Sequence, residues 1–251
     1  MVSGTEIRRP WGQIVPQGAE TPVFEPTRAF DFELELGAII GSPLNGPATV
    51  QQADDAIFGY VLLNDWSARD IQRWEYQPLG PFQAKATATT IGHWIVSKAG
   101  LEPFRTAAEP RDIPSLPYLK EPGPMFYDIG LHLSLIEQDA SETELTHTNF
   151  RHMYSSSAQQ IAHYAACGCP MRVGDLNGSG TISGPSPKRL GCMLEMTKGG
   201  RSPIELSSGR ARSFVEDGDT IRISGAAGSG EATIGFGECV GRILQALDWP
   251  G

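Results

Sequence analysis

The chain has 251 residues, 40% of them hydrophobic, which is enough for one large domain with a sizeable core and argues against disorder. A net charge of −9 speaks against a nucleic-acid partner, because phosphate contacts need a basic surface. No apolar run approaches the roughly 18 residues of a membrane span, and the opening MVSGTEIRRP lacks the apolar centre of a secretory signal.

In chain order, residues 1–24 are rich in Pro, Gly and polar side chains and read as an extended arm. Residues 31–40 alternate, with Phe32, Leu34 and Leu36 on one side and Asp31, Glu33 and Glu35 on the other. This is the pattern of a half-buried strand. Residues 41–47 form a loop, and Thr49 is placed to cap a short helix through Asp55. The run Ile57-Phe58-Gly59-Tyr60-Val61-Leu62-Leu63 reads as a buried strand, with Asp65 at its end.

Ser67 then suits an N-cap for a helix over residues 68–76. On that helix Arg69, Gln72 and Tyr76 share one face, beside Asp65, while Trp66, Ile71 and Trp74 supply an apolar anchor. Pro78, Gly80 and Pro81 end the helix and lead to Lys85.

Residues 87–96 are strand-like, rich in Thr, Ile, Trp and Val. Residues 101–124 carry six prolines and read as a long surface loop with short strands. Residues 129–136 alternate again. Residues 149–166 show the best helical period, with a stripe of Phe150, Met153, Tyr154, Ile161, Ala162 and Ala165 and with Gly168 suited to the C-terminus. Asp217-Gly218 marks a turn before the closing strands. Gly (29) and Pro (19) are frequent and helical periodicity is sparse, which favours a strand-rich α+β fold. No composition break divides the chain, so residues 1–251 read as a single domain.

Four cysteines, Cys167, Cys169, Cys192 and Cys239, provide only one close pair and no second pair at zinc-ligand spacing. Reduced thiols in a cytoplasmic protein are the expectation. Glu33 and Glu35 project from the same side of their strand, about 7 Å apart. A solvent face would carry the same pair. With Asp65 at the end of the next strand they make three carboxylates, which suit a hard divalent cation such as calcium or magnesium.

The segment NDWSARDIQRWEYQPLGPFQAKATATT at residues 64–90 resembles the signature stretch of the fumarylacetoacetases, hydrolases that end tyrosine breakdown. The resemblance extends to VSGTEIRRPWGQ near the start, FELEL at residues 32–36, GDLNGSGTISG at residues 174–184 and IGFGECVGRIL near the end. It implies a mixed β-sandwich roll, a homodimer, and hydrolysis of the diketo acid fumarylacetoacetate to fumarate and acetoacetate. It implies calcium on Glu33, Glu35 and Asp65, and magnesium near Asp65, Lys85 and Thr89. A charged ammonium cannot ligate a cation, so Lys85 is read as catalytic or as acting through its carbonyl.

Substrate-facing groups implied by the resemblance are Gln72, Tyr76 and Thr181. Arg69, Gln72 and Lys85 are the charge-stabilising donors, and Glu195 orients the attacking water. The family's general base is a histidine upstream of the VSGT motif, in a stretch that also gives calcium an aspartate. None of His93, His132, His147, His152 and His163 falls on that motif position, and His132 and His163 read as structural. The expectation is a truncated chain that turns over the diketone slowly or not at all. Shorter relatives acting on small oxo-acids as decarboxylases, isomerases or hydratases, and a metal-binding remnant without turnover, are the alternative readings.

Overall fold

The computed structural model describes residues 1–230 and 232–250. The expected extended arm is instead three short strands: β1 (Ile7–Arg8), β2 (Trp11–Ile14) and β3 (Val23–Pro26), the last two forming a hairpin. Ile7 and Ile14 are buried, so a few isolated apolar residues tie this region down where no period is long enough to be seen.

Next come β4 (Phe30–Asp31), β5 (Leu34–Ile40), α1 (Val50–Ala56) and β6 (Ile57–Asp65). Thr49 caps α1 as its sequence suggests, with Gln52 closing a capping box. The half-buried strand expected over residues 31–40 is buried on both sides, Asp31 and Glu35 included. Its carboxylate side tolerates burial because cations and backbone amides from other elements face it.

Ser67 is not an N-cap. It lies in β7 (Ser67–Ala68), paired with β4, and its hydroxyl donates to the Asp65 carbonyl. Helix α2 (Arg69–Glu75) starts one residue later from Ala68, without a side-chain cap. The strand expected over residues 87–96 is split into β8 (Thr89–Ile91) and β9 (Val96–Ser97), both paired with β6. α3 (Lys98–Leu101) leads into the Pro-rich stretch, which holds β10 (Arg105–Thr106) and much irregular chain before β11 (Phe126–Tyr127), the partner of β10.

The alternation at residues 129–136 becomes β12 (Ile129–Ile136), with Ile129, Leu131, Leu133 and Leu135 all fully buried, paired with β13 (Glu142–Asn149). The single helix expected over residues 149–166 is broken. One 3-10 turn holds Phe150 in the core, Tyr154 is exposed, and the helix proper is α4 (Ser157–Ala166). The Ser155-Ser156 step explains the break, since serine hydroxyls compete for backbone amides and favour caps. Ser156 accepts from the Gln159 N–H at 3.3 Å, and the Gln159 side chain accepts from the Ser156 N–H at 3.1 Å. Ser156→Ala is expected to cost about 1 kcal/mol of stability, read as a lower urea midpoint with an unchanged slope.

The chain continues through β14 (Leu176–Gly178), α5 (Met193–Met196), β15 (Ile204–Glu205) and β16 (Ala211–Arg212) to the long β17 (Thr220–Ser229) and β18 (Ala232–Leu244). Two five-stranded sheets result. One has the order β1-β18-β17-β12-β13; the other runs β14-β5-β6-β8, with β9 also on β6. Leu36 and Leu62 from one sheet and Leu131, Ile221 and Ile223 from the other share one core. Trp66 is sealed between them, stacked on Phe30 at 5.5 Å and donating its indole N–H to Thr90. Gly241 admits that indole, since a Cβ there would stand 2.6 Å from the ring. This strand-dominated α+β architecture matches the expected fold class. Among the described residues no helix is long and apolar enough to cross a membrane.

Candidate metal centre

Strand pairing brings the three carboxylates together. β5 and β6 run antiparallel with Leu34 opposite Asn64, so the next step outward sets Glu33 across from Asp65, and the Asp65 N–H donates to the Glu33 carbonyl at 3.3 Å. Glu35 lies two residues along from Glu33, on the same side. One carboxylate oxygen from each of Glu33, Glu35 and Asp65 falls within 4.8 Å of the other two.

Two cations answer them. Lys85, reaching in from the turn after α2, places its Nζ 2.5 Å from Glu33 Oε2 and 3.0 Å from Asp65 Oδ2. Arg69, at the start of α2, spans Glu33 Oε1 and Asp31 Oδ2, each at 2.8 Å. The Gln72 side-chain carbonyl accepts from Arg69 at 3.1 Å, which leaves its NH₂ to point elsewhere.

Asp31 is the residue that the sequence reading leaves without a role. Its carboxylate also accepts from the Met193 and Leu194 N–H groups at 2.8 and 3.0 Å, which fastens the first turn of α5 to Arg69. The alternation that groups Glu33 with Glu35 puts Asp31 on the same side, so the signal was present.

Burial would raise Glu33, but the charges of Arg69 and Lys85 outweigh it and hold it below the usual carboxylate range. Burial raises Asp65, against the pull of Lys85. Glu35 has no cation of its own. Burial, then the charges of Glu33 and Asp65, push it up to about 8, opposed first by the Gly180 N–H that it accepts at 3.0 Å. With all three carboxylates ionised the centre would hold more anionic oxygen than Arg69 and Lys85 neutralise, a surplus that a bound cation would answer. Hard oxygen donors, unbalanced negative charge and close convergence fit a calcium- or magnesium-like ion on Glu33, Glu35 and Asp65.

The remaining predicted residues are placed as follows. Thr89 pairs with Asp65 across β6 and β8. Thr181 follows Gly180, the amide donor to Glu35, in a segment bonded along β5 through Ile182 N–H to the Leu34 carbonyl at 2.8 Å. Tyr76 is exposed at the C-cap of α2, a turn beyond Gln72. Glu195 sits in α5. Its carboxylate accepts a short bond from Ser183 and a longer one, 3.4 Å, from the Gly191 N–H. Arg69, Gln72 and Lys85 are thus joined to the acidic cluster, Glu195 is the residue after Leu194, whose N–H donates to Asp31, and Tyr76 stands outside this hydrogen-bonded group.

The family model for the C-terminal part of fumarylacetoacetate (FAA) hydrolase matches residues 1–244. The chain belongs to the fumarylacetoacetate hydrolase family. It is 47% identical over 249 residues to a fumarylacetoacetase of Arabidopsis thaliana, a match covering 98% of this chain and 59% of that one. A fumarylacetoacetase of Homo sapiens is 43% identical over 250 residues, covering 98% and 60%. The chain therefore spans about three fifths of the length of these relatives.

The solved structure of fumarylpyruvate hydrolase from Pseudomonas aeruginosa in complex with Mn2+ and pyruvate has a TM-score of 0.53 at 18% identity, covering 98% of this chain and 73% of that one. At that identity the likeness speaks for the fold. In this chain the strand pair sets buried Glu35 and half-buried Glu33 and Asp65 beside an arginine and a lysine, an arrangement unfavourable for a purely structural core.

Proposed function

We propose that this chain carries the metal-holding and charge-stabilising face of a fumarylacetoacetase, which cleaves fumarylacetoacetate to fumarate and acetoacetate. One observation supports the reading above the rest: Glu33, Glu35 and Asp65 converge with an excess of negative charge beside the donors Arg69 and Lys85. Glu33, Glu35 and Asp65 would hold Ca2+ or Mg2+, with Thr89 and the carbonyl of Lys85 as additional oxygens near Asp65. Bound there, such an ion supplies Lewis-acid stabilisation of oxygen charge.

The reaction adds water across a carbon–carbon bond. The water oxygen bonds to one ketone carbon of the 1,3-diketone. The bond to the central methylene then breaks, its electron pair leaves as an enolate, and a proton returns to that carbon. Both steps build charge on oxygen. Lys85 and Arg69 are held by carboxylates in fixed positions, so their remaining N–H groups are preorganised donors for that charge. The free NH₂ of Gln72 and the hydroxyls of Tyr76 and Thr181 would orient the diketo acid from the two sides of β5. Glu195, already fixed by Ser183 and Gly191, would orient the water. The general base is proposed to come from the part of the relatives' length that this chain does not span.

Two measurements test the reading. With Mg2+ or Ca2+, the chain is expected to consume fumarylacetoacetate, followed by loss of the diketone absorbance, roughly 10²–10⁴-fold more slowly than a full-length relative, the range set by a missing base. A non-hydrolysable 1,3-diketo acid should bind by calorimetry and lose that binding in Lys85→Met. Equal binding by both proteins, or none by the parent chain with metal present, would overturn the reading.

A further inference from the structure

The outer side of the other sheet carries a second cluster of metal-ligating side chains. His132 on β12 and His147 on β13 are register partners, and their rings stack with centroids 4.1 Å apart and planes 13° from parallel. His132 Nδ1 lies 2.7 Å from Glu144 Oε1. A carboxylate only accepts, so Nδ1 is the nitrogen that donates to Glu144 and Nε2 is the one available to a metal. A carboxylate behind one ring nitrogen is the arrangement that fixes tautomer and raises basicity in histidines that bind metals. Both rings open onto a cavity of about 450 Å³ that is also lined by Asp128, Asn149 and Ser224. Asn149 donates to Asp128 Oδ1 at 2.6 Å and so holds that carboxylate in place.

We propose that His132 and His147, oriented by Glu144, form a site for a borderline divalent transition cation such as Ni2+, Zn2+ or Cu2+. Imidazole nitrogens select such ions, whereas the carboxylates of Glu33, Glu35 and Asp65 suit hard cations. The spacing is close to what one ion needs. With metal–nitrogen distances of about 2.0–2.1 Å, two imidazoles at a right angle on one ion stand with centroids roughly 4.5 Å apart. Stacked face to face at 4.1 Å, the rings have to turn their nitrogens toward a common point. Rotation about the second side-chain torsion, which is broad for histidine, swings them together. Water completes the coordination.

The test is calorimetric titration of Ni2+ into the chain carrying Cys167→Ser and Cys169→Ser, with excess Mg2+ present to occupy the hard site. One Ni2+ per chain is expected. His132→Ala/His147→Ala should abolish binding, Glu144→Gln should weaken it roughly tenfold, and Glu35→Gln should leave it unchanged. His132 and Glu144 are exposed at 47% and 58%, so these variants are expected to keep the parent's melting temperature. As a second readout, Ni2+ should broaden the ring-proton resonances of two histidines in the parent chain. Stoichiometric binding that survives the double substitution, or no Ni2+ bound by the parent chain at millimolar concentration, would overturn the proposal.

Discussion

In metal-free buffer, raising the pH from about 5 to about 8 is expected to cost the fold on the order of 4 kcal/mol, and Glu35→Gln is expected to remove most of that slope. The sign follows from where Glu35 keeps its proton. Unfolded, it ionises near the ordinary value of 4.5; folded, burial and the charges of Glu33 and Asp65 hold the proton on up to about 8. Between those values the native state binds the extra proton, so stability falls as pH rises. Asp65, also raised, adds in the same direction. Glu33 is lowered, so its contribution is lost only on acidification below the ordinary carboxylate range and leaves this window untouched. Glu35 is almost wholly buried, which keeps solvent screening small. Saturating Ca2+ or Mg2+ should flatten the curve, because the ion stabilises the ionised form. Urea midpoints across pH, with chelator and with metal, give the measurement. An undiminished slope in Glu35→Gln would show that another group titrates.

Arg69→Met is expected to destabilise the chain by about 3–5 kcal/mol, the cost of leaving buried charges without their partner. Among the described residues Arg69 is the one side chain that bonds both Asp31 and Glu33, and its own side chain is 3% exposed. Asp31 would keep its backbone donors Phe32, Met193 and Leu194 but lose its counter-charge. Arg69→Lys preserves the charge yet lacks the planar fork that spans two carboxylates, so it should recover only part of the loss. Adding Asp31→Asn to Arg69→Met should cost little more, since the orphaned charge is then gone. Chemical denaturation of the parent, Arg69→Met, Arg69→Lys, Asp31→Asn and the double variant decides it. Fully additive losses would mean that Asp31 and Arg69 act independently.

The acidic cluster was legible in the sequence because it needs only two local facts. Side chains alternate along a strand, and the strand ending at Asp65 is adjacent in the chain. The alternating Ile129, Leu131, Leu133 and Leu135 were legible for the same reason. What escaped depends on distant partners. Asp31 meets Met193 across 162 residues, and no window over residues 31–40 contains the α5 amides that let its carboxylate be buried. Ser67 looked like a cap because its pairing with Asp31 in β4 is likewise outside the local pattern. The break at Ser155-Ser156 was visible in residue type but was outweighed by an apolar period that continued across it through Phe150, a residue that reaches the core from a separate turn.

The parallel pairing of β1 with β18 sets Ile7 beside Ile243 and Arg8 beside Leu244. During synthesis from the N-terminus, β1 emerges long before β18, its partner among the described residues, and β17, bonded to β12 on one side, waits for β18 on the other. Closing that contact means closing a loop almost as long as the chain, so folding should be slow and should finish only after the last strand leaves the ribosome. Until then Ile7 and Ile223 lie along unpaired edges, the kind of surface that recruits other chains. A chain cut short before β18 would retain the carboxylates of β5 and β6 yet lose the partner of two strands at once, so its failure would be aggregation ahead of any loss of chemistry.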